Sequence, residues 1–406
     1  MSVVQLVTDT NKLMASGTSS AMLLWSMPIL LAGVGGLYSE RSGVVNIGLE
    51  GMMILGTWFG AYGAVSGISL FGLQLLGPSP WAGLLFGLIG GTLGGLLHAI
   101  ATVTFGIDQI ISGVAINILA PGMVRFLSEE IFVSMDGGSQ TQSPRSPGLG
   151  QITLPFLAGG DVGSWTTPDV LGWLEDKNWF YISDLAGLAK GLVTGLDYFT
   201  IVGLAAVGAT AWLVWKTKLG LRIRISGENP VAGESLGVGV YFYKYVGVTV
   251  SGALSGMAGA FIVLELTGFY REGQTVGRGF IALAALIFGN WRAFGVLAGS
   301  FVFAYPTALG LRDLDGSSTR AFLLVLSLSL FAFMVFAISR RQRIDAVLSG
   351  LMAAGLFVWF VFSSTAPDWL PNTMPYALVL VVLVFASQSL RPPRMLGIPY
   401  RKGESG

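Results

Sequence analysis

Two sets of residues in this chain have types and spacings that could do chemistry. Asn46, Glu50 and Asn117 are polar side chains inside long apolar runs, and Asn229-Pro230 opens a short segment in a basic connection. Polar groups left against lipid are costly, so the first set are candidates to hydrogen-bond a polar solute on its way through a membrane. Asn46 and Glu50 are four apart and are expected to share a helix face. Asn117 stands about ten residues into its run, about 15 Å deep at 1.5 Å per residue, with Pro121-Gly122 beyond it as a candidate break toward a cavity. Trp58 and Phe280 are the aromatic candidates for the lining of such a path. The alternative for the polar set is that they bond neighbouring backbone and only hold helices together.

Asn229-Pro230 has the chemistry of a helix start: Asn caps free N–H groups, and Pro has none to leave unpaired in the first turn. Gly237 supplies a left-handed stop, so about two turns result. Val231, Ala232 and Leu236 then offer a small apolar surface, with Glu228, Glu234 and Ser235 around it. A helix under about 12 residues is marginal alone in water, so this one must dock on something, unless the segment is an ordinary solvated loop. Other ionisable groups carry less. His98 reads as a packed side chain near the inner end of its run, Arg125 and Glu129 are spaced for an ion pair, and Glu265 and Arg271 fall at an outer edge.

The elements that position these residues follow from composition. Of 406 residues 53% are hydrophobic and only 11% charged, where a soluble domain carries about 25% charged residues. With a mean hydropathy of +0.70, the expected fold is all-α, a polytopic membrane helix bundle in a single domain spanning 1–406. A net charge of +1 provides no basic field for nucleic acid. With no cysteine and one histidine, thiol chemistry and a zinc site are closed. No phosphate-binding glycine loop or nucleophile elbow occurs, so no enzyme activity, catalytic residue or metal is expected.

Apolar runs long enough to span fall at about 21–37, 44–66, 81–104, 107–133, 197–215, 241–266, 279–289, 294–311, 320–339, 345–363 and 373–388, or about 10–11 segments. The run at 279–289 is too short to cross and is expected to be a half helix completed by Asn290 to Phe294. Lys216, Lys218, Arg222 and Arg224, then Arg340, Arg341 and Arg343, then Arg391, Arg394, Arg401 and Lys402 mark inside connections. Parity then sets the N-terminus outside and the C-terminus in the cytoplasm. Residues 1–20 hold one base, Lys12, and no signal peptide is expected. Residues 134–196 are expected to be an external loop with one or two short interfacial helices, its Trp165, Trp173 and Trp179 at headgroup level. Gly83, Gly87, Gly90, Gly91, Gly94 and Gly95, with Gly252, Gly256 and Gly259, predict close helix packing. The segment from Gly43 to Trp58 is similar to that from Gly277 to Trp291, a candidate inverted repeat.

Several ordered motifs together resemble one family. They are Glu40-Arg-Ser-Gly-Val-Val-Asn-Ile-Gly-Leu-Glu-Gly, Asp108-Gln-Ile-Ile-Ser-Gly-Val-Ala-Ile-Asn, Gly220-Leu-Arg, Gly227-Glu-Asn-Pro, Gly277-Arg-Gly-Phe-Ile-Ala-Leu-Ala-Ala-Leu-Ile-Phe-Gly and Leu396-Gly-Ile-Pro-Tyr. The chain resembles permease subunits of bacterial ABC importers, in the group of simple-sugar and branched-chain amino acid permeases, and is most similar to those of nucleoside importers. The resemblance implies a type II-like importer fold in the bacterial inner membrane and a path for nucleosides or simple sugars. It implies that Glu228, Asn229, Pro230, Val231, Ala232 and Glu234 form a coupling helix within the 216–244 segment. Arg222 and Arg224 would then pair with acidic groups of a cytoplasmic ATPase, or anchor at anionic lipid. The implied partners are that ATPase, which binds the ATP and magnesium, a second permease, most simply as a heterodimer, and an external binding lipoprotein. No cofactor is expected in this chain. Residues 312–372 depart from the family as an added helical hairpin. A rival class is an ion-coupled secondary carrier, for which Glu50 is the candidate carboxylate.

Overall fold

The computed structural model describes residues 15–70, 73–155, 157–162, 165–177, 179, 182–310, 316–339, 342–362, 373 and 390–401. The expected span at 373–388, and Lys12, Arg340, Arg341 and Lys402, lie outside the described residues, apart from residue 373. Among those described, six helices are long and apolar enough to cross a membrane, and three shorter apolar helices accompany them. Helices dominate because lipid offers no partner for backbone polar groups, which must bond within their own segment.

The chain forms two compact units. The larger comprises residues 26–150, 197–302 and 386–406. It takes most of α1 (Ser16–Arg41), then α2 (Leu49–Ser66), α3 (Pro80–Ala99, continued by a π turn Ile100–Thr104) and α4 (Gln109–Ile131). Ser79 starts α3 by accepting from Ala82 N–H ahead of Pro80, and Asp108 starts α4 by accepting from Ile110 and Ile111.

The smaller unit, residues 1–25, 151–196 and 303–385, holds α5 (Val170–Asp176) and α6 (Ile182–Gly191), the two short helices of the polar interruption. Lys190 Nζ bonds Asp169 Oδ2 at 2.7 Å, and this partner holds the Asp169 carboxyl below its ordinary value of 3.8. Trp165, Trp173 and Trp179 are all exposed.

Five more helices follow: α7 (Tyr198–Lys216), α8 (Lys218–Glu228), α9 (Pro230–Ser235), α10 (Val240–Phe261, with a π turn Ile262–Thr267) and α11 (Arg278–Phe288). Then come α12 (Ala293–Gly310), α13 (Gly316–Ser339) and α14 (Arg343–Phe362). The last two pair within the smaller unit, where Ser327 Oγ donates to Ala353 O at 2.9 Å.

The centre of the larger unit is built on absent side chains. A Cβ at Gly83 would come within 2.7 Å of Gly60 O, at Gly87 within 2.5 Å of Ala260 Cβ, and at Gly95 within 2.9 Å of Val248 O. At Gly56 it would overlap Gly256 O. The helices α2, α3 and α10 therefore touch backbone to backbone, the form of packing small residues allow where lipid supplies no hydrophobic drive.

Three expectations about elements change. The run at 44–66 is not one helix, since residues 44–46 are non-helical and α2 begins at Leu49. The half helix α11 is not completed by Asn290 to Phe294. Asn290 and Trp291 take φ of +51° and +53°, and the next helix starts at Ala293. Pro121 does not break α4, which runs through it to Ile131. The element order also repeats: a long helix, a non-helical stretch (42–48 or 268–277), then a new helix opening the next pair.

Candidate functional site

The expected polar residues converge on the two helix breaks. The chain leaves α1 at Arg41, turns at Gly43 (φ +86°) and runs without helical bonds to Gly48. Backbone opened inside a bundle must find other partners, and side chains from three helices supply them. Ser39 Oγ donates to Val44 O at 2.7 Å, and Val45 N–H donates to Gln109 Oε1 at 2.6 Å. His98 Nε2 meets Val45 O at 2.9 Å; a carbonyl only accepts, so Nε2 carries the proton and Nδ1 accepts from Ser112 Oγ at 2.9 Å. His98 is thus a packed strut, as its sequence position suggests.

Asn117 is the strongest of these supports. Its Nδ2 donates to Ile47 O at 3.0 Å and its Oδ1 accepts from Gly51 N–H at 2.7 Å, so one amide bridges the end of the break and the first turn of α2. Asn46 and Glu50 do not share a helix face, because Asn46 lies in the break. It is fully buried, its Nδ2 donates to Ser251 Oγ at 2.9 Å, and its Oδ1 has no partner among the described residues. Glu50 caps a different helix. Oε1 accepts from Gly277 N–H at 3.0 Å and Oε2 from Gly279 N–H at 2.6 Å, at the start of α11. Since Glu50 also sits in the first turn of α2, one buried carboxylate serves two helix N-termini.

The other end of α11 is held as firmly, by residues that sequence reasoning did not single out. Trp291 Nε1 donates to Glu40, and Arg41 Nη2 donates to Trp291 O at 2.9 Å. The half helix is therefore gripped at both ends from the α1 break: Glu50 at its start, Glu40 and Arg41 at its finish. The available signal was the likeness between the segments at Gly43 and Gly277, which pairs those two regions.

The aromatic candidates differ. Trp58 is only 2% exposed, donates to Ser128 Oγ at 2.9 Å and stacks on Tyr62 at 5.4 Å, so it has no free face for a ligand. Phe280, on α11 between buried Gly279 and Ile281, is 45% exposed. Arg125 pairs with Glu272 at 2.8 Å and not with Glu129, which accepts from Gln140.

The second site is the short helix. Asn229 Oδ1 accepts from Ala232 N–H at 3.0 Å, Pro230 takes the first position, and Gly237 has φ +77°. All three features read from the sequence are present, though α9 has six residues, fewer than two turns. Pro230 and Gly233 are buried; Val231 is 42% and Leu236 78% exposed, and Ala232 and Asn229 face outward too. A helix of this length stands only because neighbours hold it. Glu228 lies 3.5 Å from Arg41, and Tyr400 donates to Glu234. Burial and that carboxylate push the Tyr400 phenol up to about 12. The preceding helix α8, not anticipated from the sequence, spends Arg222 on Tyr243, at 2.7 Å to its hydroxyl, while Arg224 Nε is buried with no partner among the described residues.

A broken-helix core beside a propped, outward-facing short helix is the arrangement the family comparison then explains. Residues 19–334 match the family model described as branched-chain amino acid transport system / permease component. The chain belongs to that permease family. The permease is 35% identical to the guanosine ABC transporter permease protein NupQ of Bacillus subtilis, over 72% of its own length and 81% of the relative's. It is 33% identical to the nucleoside ABC transporter permease protein NupC of Lactococcus lactis, over 71% and 80%. A protein named as a candidate glucose ABC transporter permease, TsgC13 of Haloferax volcanii, is 30% identical over 74% and 78%. The same two bacteria each contribute a second match, NupP at 25% and NupB at 22%, also named as guanosine or nucleoside permease proteins. No solved structure matches the permease.

Proposed function

We propose that this permease forms the membrane path of an ATP-binding cassette importer for nucleosides, with simple sugars as the next class. The observation that carries the reading is α9: a capped helix too short to stand alone, presenting Val231, Ala232 and Leu236 outward from a braced base. Such a surface suits a separate ATPase that binds ATP and magnesium and drives alternating access through a rigid bundle. The braces run from Glu228 through Arg41 to Trp291 at the end of α11, a mechanical line from the docking helix to the half helix. Nucleosides rank first because the two relatives at 33% identity and above carry nucleoside or guanosine names. The matches in pairs from one bacterium support a second permease as partner. A binding lipoprotein outside, the N-terminus outside and the C-terminus in the cytoplasm complete the reading. Glu50 weighs against an ion-coupled carrier, since both its oxygens are taken by backbone N–H groups.

The test is co-purification and uptake. Replacing residues 228–234 with a Gly-Ser segment should leave a folded permease that no longer retains the ATPase. Ligand-stimulated ATP hydrolysis by the reconstituted assembly should answer to nucleosides in a nucleoside and sugar panel. Retention of the ATPase, or uptake that follows an ion gradient with ATP depleted, overturns the proposal.

A further inference from the structure

A concavity of about 940 Å³ opens beside the docking segment, within the larger unit. Its wall is Arg41, Glu228, the turn Gly289, Asn290 and Arg292, and the C-terminal segment Arg391, Pro392 and Arg394. Four guanidinium groups face one carboxylate, a formal charge of +3. The single Glu228 is already committed: one oxygen lies 3.5 Å from Arg41 and the other accepts from Arg394 N–H at 3.3 Å. Among the described residues the guanidinium groups of Arg292, Arg391 and Arg394 have neither a carboxylate nor a hydrogen-bond acceptor. Like charges brought together without a counter-charge repel and raise the local concentration of anions, and a bound anion would offset that repulsion.

The walls are fixed rather than accidental. Arg41 is 13% exposed and pinned to Trp291 O. The tail is tied in by Arg391 N–H donating to Asn290 Oδ1 at 2.8 Å and by Met395 N–H donating to Gly227 O at 2.9 Å. Helix α12 begins at Ala293, directly after this wall, which sets the positive end of its dipole on the same side. Guanidinium forks match phosphate oxygens bidentately, and the volume is that of a small-ligand site.

We propose that this concavity binds a phosphate-bearing anion, either a free phosphorylated solute or the headgroup of an anionic lipid. The anion joins three parts that the transport reading makes functional: the base of α9, the turn that ends α11 and the C-terminal segment. The binding itself does not rest on that reading, because it is measured on the permease chain without an ATPase.

The experiment is calorimetric titration of inorganic pyrophosphate into the full-length chain in nanodiscs of neutral lipid. Wild type is compared with the double variant Arg391→Gln, Arg394→Gln, both exposed side chains whose loss leaves the helices packed. Saturable binding to the wild type is expected, weakened about tenfold or more in the variant, as charged hydrogen bonds contribute, and weakened by added salt. Discs containing phosphatidylglycerol separate the sources. Suppressed pyrophosphate binding there assigns the site to lipid headgroups, and unchanged binding assigns it to soluble phosphates. Equal affinity in wild type and variant overturns the proposal. So does absence of saturable binding in neutral discs, including the case in which the variant loses only a protein partner.

Discussion

Removing the Glu50 carboxylate tests the claim that α11 is held in place from the first break. In the native chain it accepts two backbone N–H groups, at 3.0 and 2.6 Å, from a position 6% exposed. Glu50→Ala leaves the buried Gly279 N–H unpaired, at about 1–3 kcal/mol, and the half-buried Gly277 N–H with at most the same cost, so about 1–6 kcal/mol in total. Glu50→Gln keeps one acceptor oxygen and turns an NH2 group toward the other N–H. Its cost is that of one hydrogen bond to a charged group, about 1.5–3 kcal/mol. The order of stability should therefore be wild type, Glu50→Gln, Glu50→Ala. Thermal unfolding of the purified permease gives that order directly. Uptake by the reconstituted assembly reports whether the half helix still moves as a unit, and it should fall in the same sequence. Glu50→Ala unfolding at the wild-type temperature with uptake intact refutes the capping argument. Glu50→Gln losing uptake while keeping full stability also refutes it, since the charge would then act on a solute or ion and not on helix α11.

Four further outcomes are expected. Gly256→Ala should destabilise the permease by about 1–3 kcal/mol through overpacking, since its Cβ would meet Gly91 Cα at 2.7 Å, whereas Gly208→Ala, with nothing within 4 Å, should shift the unfolding midpoint little. Asn117→Ala should be strongly destabilising because it frees Ile47 O and Gly51 N–H together, and a stable variant changed only in substrate affinity would assign Asn117 to the solute. Leu236→Ser, at a residue 78% exposed, should weaken ATPase retention without moving the unfolding midpoint. The Asp169–Lys190 bond lowers the Asp169 carboxyl below its ordinary 3.8, so its contribution is complete above that value and lost as pH falls through the lower folded value. Protection of the Gly172 N–H, which Asp169 accepts, measured against its intrinsic exchange rate, should be lost over that acid range in wild type and at higher pH in Lys190→Met.

The amino-acid sequence by itself determined the membrane solvent, the helical class, the glycine contacts and the short helix. Each of these is set by neighbours along the chain or by composition. Asn229, Pro230 and Gly237 cap and stop α9 through atoms within a few residues, and glycines spaced by four leave no side chain to hold two backbones apart. What only the tertiary structure decided is the work of the polar residues inside the bundle. Asn46, Glu50 and Asn117 read equally well as solute contacts or as supports, because a side chain's bonding partner lies 66 to 229 positions away for these groups. The folded chain spends Glu50 on Gly277 and Gly279 and Asn117 on Ile47 and Gly51, and it interrupts the helix at Asn46. A break in a membrane helix is stable only where other elements satisfy its backbone, and no local pattern records which elements will arrive there.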